Sequence, residues 1–409
     1  MGNQVRFRRQ TALGLTVIVL AALDAHSQQL DGFPACISEI KLQAVSEGIK
    51  PEVFDAATRG LEPDAEVIEA MDRQPEFSLS IWDYIDMLVD DKRIAEGRGK
   101  LATLSTLLRQ IERGYGVERQ VVVAIWGVET NYGKNLGRRP LVGSLATASC
   151  FGRRQPFFRD ELIQTLRIQQ SGDMRAEDLV GSWAGAFGHT QFMPTTFKRL
   201  AVDFDGDGRR DLVGSIPDAL ASTANYLRES GWKRGDRWGH EVRLPRKYDG
   251  PSGRRIRKPL SEWHALGIRR LDGKAITGEQ SAALLLPAGA RGPAFLVLDN
   301  FFVLYSYNAA ESYALAIAHL ADRLRGGRPF RASWPIDDPA LSRSQRIELQ
   351  ESLAAMGYDV GEADGLIGPR TMDAIKDFQK STGLVPDGYA GQRLLEAVIS
   401  TPLGARIVN

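Results

Sequence analysis

The sequence predicts a mainly α chain that carries a small β insertion and ends in a compact three-helix unit. Three observations predict it. Positions 36–231 show helical periodicity punctuated by Gly, Pro and Asn; positions 239–300 change to Gly and Pro turns with short extended runs; and the 341–400 stretch carries one pattern twice.

Each element follows from its local pattern. In 117–129, Val121, Val122, Ala124, Ile125 and Val128 recur at three- and four-residue spacing, and Gly133 stands just beyond, so a helix ends there. The runs 282–286 and 294–298 are the candidate strands of the insertion, and 312–324 returns to helix. Gly326-Gly327-Arg328-Pro329 and the prolines at 335 and 339 break all periodicity, which reads as a linker over 328–340. In 341–400 the pattern D-G-x-x-G-x-x-x-x-x-A-[I/V] starts at Asp364 and again at Asp387, a turn followed by a helix each time.

The segment 1–27 differs from the rest. Arg6, Arg8 and Arg9 precede an apolar run from Thr11 to Leu23, then Ala25-His26-Ser27, the layout of a secretory signal peptide. The run is short of the ~20 residues a membrane-spanning helix needs, so no stable span is expected after cleavage. The expected location is the periplasm. Of 52 basic and 51 acidic residues, removal of three Arg and one Asp leaves 49 and 50, a mature net charge of −1. Such a balance offers no bulk field for nucleic acid. The only cysteines, Cys36 and Cys150, lack CxxC spacing; export favours one bridge, with two buried thiols the alternative.

Glu129 is the first catalytic candidate. It lies four residues after Ile125 and seven after Val122, on the apolar stripe, where burial favours the neutral acid that protonation of a glycosidic oxygen requires. Tyr132, three residues on, suits the rim of a sugar cleft. The 181–194 segment has too many glycines for a helix and too many bulky groups for a linker, so it reads as a shaped loop. There Ser182 and Gln191 can donate hydrogen bonds, while Trp183, Phe187 and Phe192 offer either sugar-stacking faces or core. In 203–211, Asp203, Asp205 and Asp207 with Gly206 and the Arg209 carbonyl fit the opening of an EF-hand loop for structural calcium. The closing Glu is missing; Gly214 stands there and Asp218 is the next carboxylate, so a metal-free turn cluster is the alternative. With five His, no H-E-x-x-H and no G-x-S-x-G, zinc sites and a serine-hydrolase triad find no support.

The segment 124–133, the loop 185–197, the 203–211 loop, Ala224-Asn225-Tyr226-Leu227, and Tyr307-Asn308 through Tyr313 resemble the lytic murein transglycosylases of type B, with the motifs in the expected order. The 341–400 stretch resembles a peptidoglycan-binding domain through Asp364-Gly365, Gly368, Ala374-Ile375 and Phe378-Gln379. The resemblance implies a lysozyme-like catalytic domain with an added α lobe over 28–327. It also implies cleavage of the β-1,4 bond between N-acetylmuramic acid and N-acetylglucosamine to a 1,6-anhydro product, by a monomer, with no cofactor for the chemistry.

Carried over by position, Glu129 acts as acid and then base, Ser182 and Gln191 contact substrate, and Tyr307 and Asn308 form the opposite wall. Trp82 and Tyr84 fit sugar-stacking positions loosely. An Arg common before the Tyr-Asn pair is Ser306 here, and a common Ser is Ala310. Hydrolysis by a second carboxylate, Asp160 or Glu161, and pure wall binding without catalysis are the competing readings.

Overall fold

The protein, described from a computed structural model over positions 32–71, 79–246 and 248–402, has 17 α-helices and two small sheets within those ranges. The proposed signal segment 1–27 lies outside the described residues. The helices begin with α1 (Phe33–Ser46), α2 (Pro51–Thr58), α3 (Ala65–Ala70), α4 (Ile81–Leu88), α5 (Asp91–Thr103), α6 (Ser105–Tyr115) and α7 (Arg119–Thr130). A two-residue ribbon, β1 (Arg139–Pro140) with β2 (Val180–Gly181), encloses α8 (Leu141–Phe151) and α9 (Gln155–Ser171) in sequence. Then come α10 (Pro194–Leu200), α11 (Ile216–Glu229), β3 (Gly239–Arg243), β4 (Arg257–Pro259), α12 (Leu260–Ala265), β5 (Arg269–Arg270), β6 (Ser281–Leu285) and β7 (Ala294–Val297). The chain finishes with α13 (Asp299–Tyr307), α14 (Glu311–Leu324), α15 (Arg343–Ala355), α16 (Pro369–Ser381) and α17 (Gln392–Ser400).

Two compact units result. Among the described residues, the first takes positions 32–71, 136–199 and 206–213. Here α8 and α9 pack together over Leu145, Leu162, Ile163 and Leu166, all fully buried. The Asp64 carboxylate caps α3, accepting from the Glu66 and Val67 N–H groups, and the Asp64 N–H donates to Thr147 on α8 at 3.0 Å. Cys36 on α1 and Cys150 on α8 are joined by a disulfide.

The second unit takes the rest of the described residues. Its centre is α7, which differs from the amphipathic helix the sequence suggests: every residue from Val121 to Gly127 is buried, so the helix is enclosed on all sides. Against it lies α14, whose Ala314, Ala316, Ala318 and Ala321 let the backbones approach. The antiparallel sheet runs β4-β6-β7-β3-β5, with Leu284 opposite Leu296. Side chains alternate across it, so Ala283, Leu285, Phe295 and Val297 enter the helical core while Ala282, Leu284, Ala294 and Leu296 enter a second core with Trp263 and Ile268. Two buried faces explain why β6 and β7 read as unbroken apolar runs.

The 328–340 stretch is irregular, as its composition demands, yet it is not a free spacer. Phe330 stacks on His319 at 3.8 Å, and the Arg331 and Ala332 N–H groups donate to Glu241. Beyond it α15, α16 and α17 enclose Leu349, Leu353, Ile375, Phe378, Leu395 and Val398. The repeated pattern has a physical cause. Asp364 and Asp387 each accept the N–H two residues on, Gly365 and Gly388 take left-handed backbone at φ 79° and 75°, and Gly368 and Gly391 cap the helix that follows.

The disulfide spans 114 positions, so in the unfolded chain it closes a long loop, worth about 2–5 kcal/mol. The double variant Cys36→Ser/Cys150→Ser is expected to lose that much stability in denaturant titrations of oxidised protein. An unchanged midpoint would remove the bridge from the account of stability.

Candidate active site

Glu129 occupies the last turn of α7, where the helix stops abruptly. Asn131 and Tyr132 adopt left-handed backbone at φ 50° and 60°, followed by Gly133 at 85°. Two consecutive non-glycine residues in that region store strain, of order 1–3 kcal/mol each. The Tyr132 ring recovers part of it by filling the core: it is 3% exposed, packs edge-on to Trp126 and donates its O–H to the Arg93 carbonyl at 2.8 Å. Gly127 makes room, because a Cβ there would meet the Tyr132 ring at 2.7 Å. Tyr132 is therefore a buried residue that fixes the helix end, rather than an exposed group offered at the rim.

Half-buried Glu129 accepts a hydrogen bond from the Tyr313 hydroxyl on α14. Tyr313 is 2% exposed, and burial together with the Glu129 charge holds its phenol well above the usual tyrosine range, so it stays protonated and donates. The Tyr307 ring lies parallel to Tyr313 at 6.3 Å, and Tyr226 meets Tyr307 edge-on at 4.7 Å. Tyr226 in turn donates to the Ser306 carbonyl at 2.7 Å. The second unit thus carries an aromatic row, Tyr226, Tyr307 and Tyr313, that leads to one carboxylate. Asn308 follows directly on α13 in extended backbone. Sequence reasoning misses Tyr313 as a polar partner because it sits in the apolar, Ala-rich run of α14, where a tyrosine reads as core. Trp82 and Tyr84 are both 7% exposed, and Trp82 lies 6.3 Å from Trp334.

Ser182 and Gln191 belong to the first unit, and each is organised within its loop. Ser182 Oγ accepts the Ala186 N–H at 3.1 Å while the Ser182 N–H donates to the Ala186 carbonyl, closing a tight turn. Gln191 has φ 52°, and its Nε2 donates to the carbonyls of Gly188 and Leu136. Phe187 and Phe192 exchange backbone hydrogen bonds and are buried, so these two are core; Trp183 is half-buried against Phe158. Asp160 is exposed beside Gln164, whereas Glu161 is 1% exposed with its two oxygens accepting from the N–H and hydroxyl of Thr195 at 2.8 and 2.7 Å. That carboxylate anchors the start of α10.

In the second unit Asp203, Asp205 and Asp218 bring one carboxylate oxygen each within 4.8 Å of one another. Asp218 is fully buried in the first turn of α11, not in a loop, and its Oδ1 accepts from the N–H groups of Phe204 and Asp205. Ser215 caps that helix and donates to Asp205 at 2.7 Å. Asp207 instead accepts the Arg209 N–H at 2.9 Å.

Comparison with known proteins identifies the family. Positions 32–322 match the family described as "Transglycosylase SLT domain", and positions 342–398 match "Putative peptidoglycan binding domain". Membrane-bound lytic murein transglycosylase B of Escherichia coli is 35% identical over 209 residues, which cover 50% of this chain and 56% of that protein. The chain therefore spans little more than half the length of that relative. SltB3 from Pseudomonas aeruginosa, solved with NAG-anhNAM-pentapeptide, superposes with a TM-score of 0.87 at 46% identity, covering 90% of this chain and all of that one. The E. coli lytic transglycosylase SLT35, solved with calcium, gives 0.64 at 27% identity, over 71% of this chain and 92% of that one.

Burial pushes the Glu161 carboxyl above its ordinary value of 4.5, with the Thr195 hydrogen bonds opposing. A raised folded value means the folded chain holds that proton more tightly. The stability this contributes is complete below pH ~4.5 and is lost as pH rises through the higher folded value. Glu161→Gln should flatten that loss, read as denaturant midpoints from pH 4 to 7. An unaltered pH profile would mean the buried carboxyl titrates as an exposed one.

Proposed function

From the premise that the chain belongs to the transglycosylase SLT-domain family, we propose that it cleaves peptidoglycan as a lytic transglycosylase, with Glu129 as its single acid and base. The observation that carries the assignment of Glu129 is the Tyr313 hydrogen bond at the end of a buried helix. Protonated Glu129 gives its proton to the oxygen linking N-acetylmuramic acid to N-acetylglucosamine, and the C1–O bond breaks. The 2-acetamido group of the same muramic acid stabilises C1 in place of an enzyme nucleophile. The C6 hydroxyl oxygen then bonds to C1 and its proton returns to Glu129. No water is consumed, and the product is a 1,6-anhydro sugar.

Hydrolysis would need a second carboxylate on the far face of the sugar. Of the two candidates, Glu161 has both oxygens committed to Thr195. Ser182, Gln191, Tyr307 and Asn308 are the proposed glycan contacts. The catalytic domain is assigned to 28–327, with 341–400 holding the enzyme to its insoluble substrate. Export to the periplasm through the 1–27 segment, action as a monomer and no use of nucleic acid complete the reading. No helix among the described residues is long and apolar enough to cross a membrane.

Mass spectrometry of digested peptidoglycan tests the chemistry: anhydro ends are lighter by one water than reducing ends, and mainly reducing products overturn the mechanism. Glu129→Gln should lower turnover at least ~100-fold. Tyr313→Phe should lower kcat about 10- to 100-fold with little change in KM, the worth of a hydrogen bond to a charged group. Full activity in Glu129→Gln ends the assignment.

Calcium fits the Asp203, Asp205 and Asp218 carboxylates, a set of hard oxygen donors of the kind that ion prefers. Its role is structural, bracing the Asp203 to Asp205 stretch against α11. Millimolar calcium should raise the melting temperature and a chelator reverse it, whereas Asp203→Asn/Asp205→Asn should melt alike in both. Equal melting of wild type in calcium and chelator would leave the loop as a metal-free turn.

A further inference from the structure

A cavity of about 730 Å³ lies between the sheet and the three-helix unit, away from Glu129. That volume is in the range that holds a drug-sized ligand. Its apolar lining includes Leu271 from the sheet side and Leu384, Val385 and Leu394 from the three-helix unit. Leu384 and Val385 are 43% and 41% exposed, a high value for neighbouring apolar side chains beside a cavity.

The charged groups divide by whether they are satisfied. Asp387 accepts from the Ala290 N–H, the Gln379 amide and the Tyr389 N–H, and these bonds tie the cavity's two sides together. Asp338 accepts the Arg393 N–H, while Arg291 and Arg393 both pair with Asp337. Arg243 and Arg246, exposed where the sheet's β3 ends, line the same cavity and have no carboxylate partner among the described residues. Two uncompensated guanidiniums beside an apolar wall select a ligand with an apolar body and an anionic end.

We propose that this cavity binds the carboxylate end of the peptidoglycan stem peptide. Its alanine methyl groups would lie on Leu384 and Val385, and its terminal carboxylate would meet Arg243 and Arg246. The assignment rests on the peptidoglycan reading above, and it gives the three-helix unit a ligand on the peptide side of the polymer, distinct from the glycan at Glu129. SltB3 was solved with a pentapeptide-bearing sugar, so a relative meets such peptides.

Isothermal titration of the full chain with a synthetic stem tetrapeptide ending in a free D-alanine carboxylate tests it. Wild type should bind, the carboxamide form at least tenfold more weakly. Arg243→Ala/Arg246→Ala and, separately, Leu384→Ser should each weaken binding at least tenfold while melting like wild type. Arg109→Ala, on the remote helix α6, should bind normally. Equal affinity for acid and amide, no binding at millimolar peptide, or equal loss in the Arg109 variant overturns the site. Binding to anionic phospholipid vesicles in place of the peptide overturns it as well. The titration involves no turnover, so its failure is separate from that of the catalytic reading, which the product masses decide.

Discussion

The hydrogen bond from Tyr313 to Glu129 depends on two helices being buried against each other, and most of the second unit serves that burial. Helix α7 is apolar on every side from Val121 to Gly127, so it has no solvent face on which to pivot. Helix α14 approaches through alanines, which sets a short interhelical distance and brings a long side chain such as Tyr313 to the end of α7. The abrupt stop at Asn131 and Tyr132 then leaves Glu129 half-buried where an extra helical turn would have carried the chain onward. Strain at the stop is tolerated because Tyr132 is locked between Gly97, Gly127, Trp126 and the Arg93 carbonyl.

The sheet contributes to the same end from behind. Because alternate residues of β6 and β7 enter two different cores, the insertion is not an appendage on the helical body; half of its side chains are part of the core that holds α7 and α14. The 328–340 strap adds Phe330 to that arrangement through His319 on α14 and Phe295 on β7. Desolvation lowers the His319 pKa to about 4, so at neutral pH the imidazole is uncharged and stacks as an aromatic ring.

Much of the architecture is legible in periodicity: the helical body, the β insertion and the three-helix end all stand where the patterns put them. The mainly α fold is shared with SltB3 over 90% of this chain, and the terminal three-helix unit is the part that matches a peptidoglycan-binding domain. What periodicity hides is three-dimensional. It assigns α7 a wet face because stripe analysis cannot see the second layer that covers it. It does not show that Tyr132 is buried, because its positive φ is invisible in the sequence and the two glycines that accommodate the ring stand apart at 97 and 127. Asp218 reads as a loop ligand because helix α11 begins so shortly before it, after a serine cap at Ser215. Tyr313, which hydrogen-bonds Glu129, lies 184 positions away, a separation that no local spacing rule reaches.

The choice of tyrosine as that partner bears on the chemistry. An acid that must become a base within one turnover exists in both protonation states, and its neighbour has to tolerate both. A guanidinium or ammonium can only donate, so it would favour the carboxylate throughout and weaken the acid step. A hydroxyl donates to the carboxylate and can accept from the carboxylic acid by rotating its own hydrogen. Burial serves this arrangement twice over, since it keeps the Tyr313 phenol from ionising beside a carboxylate and strengthens the bond once Glu129 is charged. In the proposed mechanism, a neutral partner that can face either form suits a carboxyl group that acts as acid and then base, with the substrate's own acetamido and C6 hydroxyl groups supplying the rest.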